Sequence, residues 1–335
     1  QTAARVAPEL PRDALSGMLD HLTHLGLIEP ASRPPRAGLL RHLGRDGTAG
    51  QAAPFHPAEP PAWPPAGSPA FGIGLRRPHA ALLMRERAPG LEVVEVYAED
   101  YASGDEASRA ELARLRDLYP VVPHGLELSL GSVAPPEPAA LAALRRLLDA
   151  IDAPFYTEHL AWTRAPEWRP GHLCPIWPTA ATIDRVAARI EMIQDALGRP
   201  LAIENIAYDL LLPGSGAAEA DTLAELVART GCRILLDLTN VAVNAHNHRF
   251  DAEAFLRRLP LDAVAQLHLV GYTAAADGSW VDAHAASTQP DVLALARRAL
   301  DLGARPAAIV LERDRDLPTL GGLLAEVAEI RQALA

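Results

Sequence analysis

The chain has 335 residues, 49% apolar and 22% charged, with a net charge of −11. That suffices for one large barrel of roughly 250 residues plus an extension. It contains no run of about 18 apolar residues that could span a bilayer, and its acidic balance argues against a nucleic-acid substrate, because phosphate binding needs a basic face.

Residues 1–56 read as an N-terminal extension. Within it, Asp13 to Ile28 carries Leu15, Met18, Leu19, Leu22 and Leu25 at helical spacing. The spacing predicts a helix packed on the main domain, or a remnant of a winged-helix or peptide-docking module. Residues 57–70 hold six prolines between Pro57 and Pro69 and read as an extended linker. No basic-then-apolar leader follows Gln1, and Cys174 and Cys232 are not closely spaced. No disulfide framework and a cytoplasmic location are therefore expected.

From 71 to 335 short β-rich runs alternate with amphipathic stretches. The runs are 72–75, 93–98, 121–124, 155–160, 201–206, 234–239, 264–270 and 308–313. Helices are expected between most of them, at 107–118, 138–151, 179–197, 217–229, 252–259 and 289–302. Alternation implies a parallel sheet, and eight units fit a closed (β/α)₈ TIM barrel better than an open sheet.

Metal-ligand residue types fall at the ends of the later runs. Run three ends in His124 and run four in His159. Run five carries Glu204 and Asn205, run six Asp237 and Asn240, run seven His268. A following loop carries Asp282 and His284, and run eight carries Glu312 and Asp314. Strand ends converge on one mouth of such a barrel. Carboxylates inside apolar runs are costly to bury unpaired, and a cluster of cations removes that cost. Mixed imidazole and carboxylate donors suit iron, zinc or manganese, and the absence of cysteine argues against a structural zinc or iron–sulfur site.

The order of motifs is specific. GIGLR is followed by E-x-Y after run two, HG with LSLG, H-L-x-W, ENI, LLD-x-x-N with VNAHN, HL-x-G, D-x-H and a final E-x-D. This series resembles the multinuclear non-heme iron-dependent oxidases, whose best-known member acts in methanobactin biosynthesis. The resemblance covers about residues 71–335. It implies a barrel related to xylose isomerase and to trinuclear-zinc endonucleases, with two or three irons in a mixed Fe(II)/Fe(III) state. It also implies dioxygen as co-substrate and a ribosomally made precursor peptide modified at or near a cysteine, often with a partner that binds the peptide's leader. Carried over residue by residue, His124, His159, Glu204, Asp237, Asn240, His268, Asp282, His284 and Glu312 would be ligands, with Glu204 and Glu312 bridging and Asp237, His159 and Glu204 at the heart of catalysis. Asn205, Asp314, Glu99, Arg76 and the loop residue His246 would orient ligands or meet substrate. Glu158, Asp100, Thr239 and Tyr272 depart from the family's usual residues, and none of them is an expected ligand.

Three rivals share some of these features. A trinuclear-zinc phosphodiesterase or endonuclease would offer a histidine where Asn240 stands. A sugar isomerase would call for a lysine base, and the chain has no lysine. A non-catalytic metal- or peptide-binding homologue would not need the full donor set.

Overall fold

The computed structural model describes residues 68–102, 104–165, 169–212 and 215–335. The expected helix within 13–28 and residues 57–67 of the expected linker lie outside these residues, while Ala70, expected to end the linker, already belongs to the first barrel strand. In chain order the elements are β1 (Ala70–Gly74), α1 (Arg77–Leu83), β2 (Val93–Tyr97), α2 (Ala98–Ala102), α3 (Glu106–Leu118), β3 (Val121–Gly125), α4 (Pro138–Ile151), β4 (Tyr156–His159), β5 (Ala161–Trp162), β6 (Cys174–Pro175), α5 (Ala180–Leu197) and β7 (Leu201–Glu204). Then follow α6 (Glu219–Thr230), β8 (Arg233–Asp237), α7 (Leu238–His248), α8 (Ala252–Arg258), β9 (Val264–Leu269), β10 (Gly271–Ala274), β11 (Trp280–Ala286), α9 (Pro290–Asp301), β12 (Ala308–Leu311) and α10 (Leu320–Leu334).

Eight parallel strands close into a barrel in the order β1-β12-β9-β8-β7-β4-β3-β2. The fold is the expected TIM barrel. Two small antiparallel hairpins, β5–β6 and β10–β11, stand apart from it. Among the described residues no helix is long and apolar enough to cross a membrane.

The helices form where the sequence marks them. Helix α5 starts at Thr179, whose hydroxyl accepts from the Thr182 amide, and stops at Gly198, whose φ of 64° continues the chain in a conformation that costs glycine nothing. Its buried Ile183, Val186, Ile190, Ile193 and Leu197 recur at three- and four-residue steps and face the barrel.

Alternation along the strands divides the side chains between two cores. One set packs outward under the helices. The other fills the barrel as a separate cluster of Ala70, Val93, Val122, Phe155, Ala202, Leu235, Ala308 and Val310. Because strand side chains alternate with period two, the inward positions two or four residues later lie nearer the C-terminal mouth. Those positions are His124, His159, Glu204, Asp237 and Glu312.

Two local expectations are corrected. His246 is in the last turn of α7, not in a loop. Asp282 and His284 lie on strand β11 of a hairpin, not in an open loop. Residues 238–248 become helical because the Asp237 carboxylate caps them, accepting from the Asn240 amide at 2.7 Å.

Candidate metal centre

Three groups of donor atoms gather at the barrel mouth, each spanning no more than 4.8 Å: His124, His159 and Glu204; Glu204, Asp237, His268 and Glu312; and His284, Glu312 and Asp314. Glu204 belongs to the first two and Glu312 to the last two. Glu204 turns Oε2 toward His159 Nε2 (3.2 Å) and His124 Nε2 (3.6 Å), and Oε1 toward His268 Nδ1 (3.2 Å). Glu312 Oε2 lies 3.1 Å from His268 Nδ1 and 3.6 Å from His284 Nδ1.

Register explains the convergence. His159 pairs with Glu204 across β4 and β7, and Asp237 pairs with His268 across β8 and β9. Neighbouring strands thus present donors at one height.

Each imidazole is turned by a bond from its far nitrogen. His124 Nδ1 meets Thr157 Oγ1 at 2.8 Å, and His159 Nδ1 donates to the Gly125 carbonyl at 3.0 Å. The other nitrogen of each then faces Glu204. Asn205 brackets Asp237, donating to its carbonyl at 2.9 Å and accepting from its amide at 3.0 Å. It also accepts from Asn240 Nδ2 at 3.1 Å. Asp237 Oδ1 is spent on the helix cap, so Oδ2 is the oxygen left for the centre.

Arg76 donates to Asp314 at 2.5 Å, to Glu312 at 3.1 Å and to the Tyr97 hydroxyl at 2.7 Å. Tyr97 donates to Asp314 at 3.0 Å. Asp314 therefore stands among the donors, held by Arg76. Asp282 Oδ1 is 2.9 Å from His284 Nε2, and Asn240 lines the same cavity. Glu99 is elsewhere: it accepts from the amides of Leu126 and Glu127 and orders the loop after β3. His246 is also apart, stacked on Trp280 with its Nε2 3.0 Å from the Gly278 carbonyl.

The residues fit a metal cluster by a direct test. Among them His124 Nε2, Glu204 Oε2, Asp237 Oδ2, Asn240 Oδ1, His268 Nδ1, Asp282 Oδ1 and His284 Nδ1 are buried without a hydrogen-bond partner. Each such atom costs about 1–3 kcal/mol. His268 Nδ1 has carboxylates at about 3 Å without hydrogen-bond geometry to either, so the ring and the acids converge on one shared space. Multivalent cations there would satisfy all of them.

The electrostatics agree. Burial, with Asp282 and Glu204 beside it, pushes the Asp237 carboxyl well above its ordinary range. Burial acts to lower His268, yet Glu95, Glu312 and Glu204 hold it well above the usual imidazole value. Burial lowers His124 to about 3, even against Glu204. These opposed shifts arise because several acids and imidazoles are buried against one another at one level of the barrel.

Above the centre opens a cavity of about 800 Å³, walled by Trp162, Leu173, Trp177, Leu212, Val243 and Trp280 among others. Cys174 also lines it, its thiol pushed up to about 12 by burial and so kept protonated.

Residues 70–335 match the family model of the RiPP precursor modification enzymes MbnB/TglH/ChrH. The chain belongs to this family. A UPF0276 protein of Bordetella pertussis is 40% identical over 268 residues, 79% of this chain and 92% of its own. One of Caulobacter vibrioides is 35% identical over 257 residues, 77% of this chain and 91% of its own. Among solved structures, an L-ribulose 3-epimerase matches with a TM-score of 0.53 at 16% identity, covering 80% of this chain and 95% of its own. Endonuclease IV from Thermus thermophilus matches with 0.50 at 21%, covering 79% and 97%. At those identities the MbnB/TglH/ChrH family member shares their barrel, and nothing of their chemistry follows.

Glu95, Tyr97, Thr157 and Gln266 are site residues that no motif in the sequence points to. The signal for Glu95 and Gln266 was a polar residue in mid-strand, in VVEVY and VAQLHL, where only an internal partner makes burial affordable.

Proposed function

We propose that this chain is a multinuclear iron-dependent oxidase that uses dioxygen to modify a precursor peptide at or near a cysteine. The observation that carries the reading is the donor set. Three groups without cysteine share Glu204 and Glu312 and leave their buried lone pairs unpaired. His124, His159, Glu204, Asp237, Asn240, His268, Asp282, His284 and Glu312 would hold two or three irons, joined by Asp314. Bound there, Fe(II)/Fe(III) supplies dioxygen activation and acidifies a substrate thiol.

The chain's own residues do the positioning. Glu204 and Glu312 each belong to two donor groups and would be the carboxylates shared between neighbouring cation sites. Thr157, Gly125 and Asn205 orient His124, His159 and Asp237. The indole and aliphatic wall of the cavity accepts a peptide side chain and strips water from it. We also assign residues 1–56 to docking the leader peptide or its binding partner, residues 57–69 to a linker and 70–335 to catalysis.

His159→Ala and Asp237→Ala are each expected to lower iron per chain and abolish peptide-dependent oxygen consumption. Elemental analysis after anaerobic purification reads the first effect and an oxygen electrode the second. Full activity at wild-type iron content in both variants contradicts the assignment. Stoichiometric zinc with cleavage of abasic DNA instead points to a hydrolase.

A further inference from the structure

Strand β2 contributes no atom to the three donor groups, yet its inward face carries two polar residues, Glu95 and Tyr97. Tyr97 supports Asp314 together with Arg76. Glu95 lies deeper, 1% exposed, directly behind His268. Its Oε2 is 2.9 Å from His268 Nε2 and also accepts from Gln266 Nε2. Gln266 Nε2 is itself 2.9 Å from His268 Nε2. The opposite edge of the same ring, Nδ1, faces Glu204 and Glu312.

We propose that Glu95 is a positioning residue that keeps the proton of His268 on Nε2, aims its Nδ1 lone pair into the centre, and through that bond lowers the reduction potential of the metal His268 holds. This rests on the metal-centre reading above.

The contrast among the imidazoles carries the argument. His124 and His159 bond through Nδ1 to neutral partners, a hydroxyl and a carbonyl, and the carboxylate nearest His159 Nδ1, that of Glu158, stays 3.7 Å away, beyond hydrogen-bond reach. Behind His268 stands an anion. A carboxylate acceptor makes a charge-assisted bond, roughly twice as strong as a neutral one. It draws the Nε2 proton outward and leaves more electron density on Nδ1, which favours the more oxidised metal. Gln266 Nε2 can only donate, so it cannot take the His268 proton. It bonds to Glu95 and holds the carboxylate against the ring. The four-residue unit Glu95–Gln266–His268–Glu204 spans β2, β9 and β7. It makes one ligand electronically unlike the other two barrel histidines, and so makes the cations in neighbouring groups inequivalent.

The test compares the full-length protein with Glu95→Gln, both loaded anaerobically with Fe(II). Chelator competition gives the affinity and a redox titration gives the potential. Glu95→Gln is expected to keep its thermal midpoint within a few degrees, to bind one iron about 10- to 100-fold more weakly, and to shift the potential of the bound iron to more positive values. A purely structural Glu95 would leave the potential where it is. Unchanged affinity and potential in a variant that does bind iron overturn this inference alone. A wild-type chain that binds no metal overturns the oxidase reading and this one with it.

Should Glu95→Gln fail to fold, the wild type loaded with Zn(II) decides by ¹⁵N NMR of its histidine rings. A ring protonated on Nε2 and metal-bound through Nδ1, assigned to His268, is the expected result. His268 bound through Nε2, or protonated on Nδ1, ends the proposal.

Discussion

Gly125 shows how little room the donors leave. A Cβ there would come within 2.7 Å of the Glu158 carboxylate and closer still to the Tyr156 hydroxyl. Its carbonyl is also the acceptor that turns His159. Gly125→Ala is therefore expected to destabilise the fold by about 1–3 kcal/mol through overpacking, and to lower metal occupancy by rotating His159. Differential scanning calorimetry reads the first effect and elemental analysis the second. An alanine variant with wild-type midpoint and metal content would show that the contact relaxes freely. His284 is constrained differently. Its backbone has a φ of 51°, rare for a residue with a Cβ. Its carbonyl accepts from the amides of Asp314 and Arg315 at 3.0 and 3.2 Å, which hold it there.

At the scale of elements, α7 ties two parts of the centre together. Its first turn carries Asp237 as cap and Asn240. Its last turn carries His246 and Asn247, which grip the β10–β11 hairpin bearing Asp282 and His284. Asn247 donates to the Trp280 carbonyl at 2.8 Å and accepts from its amide at 2.9 Å. The Trp280 ring is stacked between His246 and Tyr272, each at 4.0 Å. Asn247→Ala removes both backbone bonds without touching a donor. The expected result is faster hydrogen exchange confined to 271–286, with lost metal from the group containing His284 and little change in the barrel strands. Uniform exchange in variant and wild type would mean that the aromatic stack alone seats the hairpin.

For the whole molecule, closure of β1 against both β12 and β2 completes the barrel from residue 70 onward. A chain starting at residue 68 is expected to fold and take up metal as the full chain does, while losing affinity for a leader peptide or its binding partner. Retained partner affinity would remove the docking role from residues 1–56. Global stability should also depend on pH through Glu219. Burial beside Leu160, Ile176 and Ile206 pushes its carboxyl from 4.5 up to about 8, against a hydrogen bond from Tyr208. The folded chain then keeps a proton that the unfolded chain has lost between those values, so this group's contribution to stability falls as pH rises from about 5 to 8. Glu219→Gln should gain on the wild type over that window, read as urea midpoints at pH 5 and pH 8. An equal difference at both pH values would place the carboxylate in water.

Much of this was legible in the sequence. Strand–helix alternation implies the barrel, and hard donors at strand ends imply a shared mouth, because period-two alternation and the parallel arrangement leave them few other places to go. The helix 238–248 was not legible. LLDLTN continues a β-rich run, and only the cap made by Asp237 turns it. Nor could spacing say that Asp314 joins the donors while Glu99 does not, since both are acids near strand ends. The roles of Glu95, Gln266 and Thr157 were equally hidden, because a residue that steers a ligand from behind is set by contacts between strands as far apart in sequence as 95 and 268. The sequence by itself determined the strand–helix alternation and which strand ends carry hard donors, since propensity and periodicity are local. The tertiary structure alone decided which oxygens and nitrogens face one another, since that depends on register and ring orientation across the closed barrel.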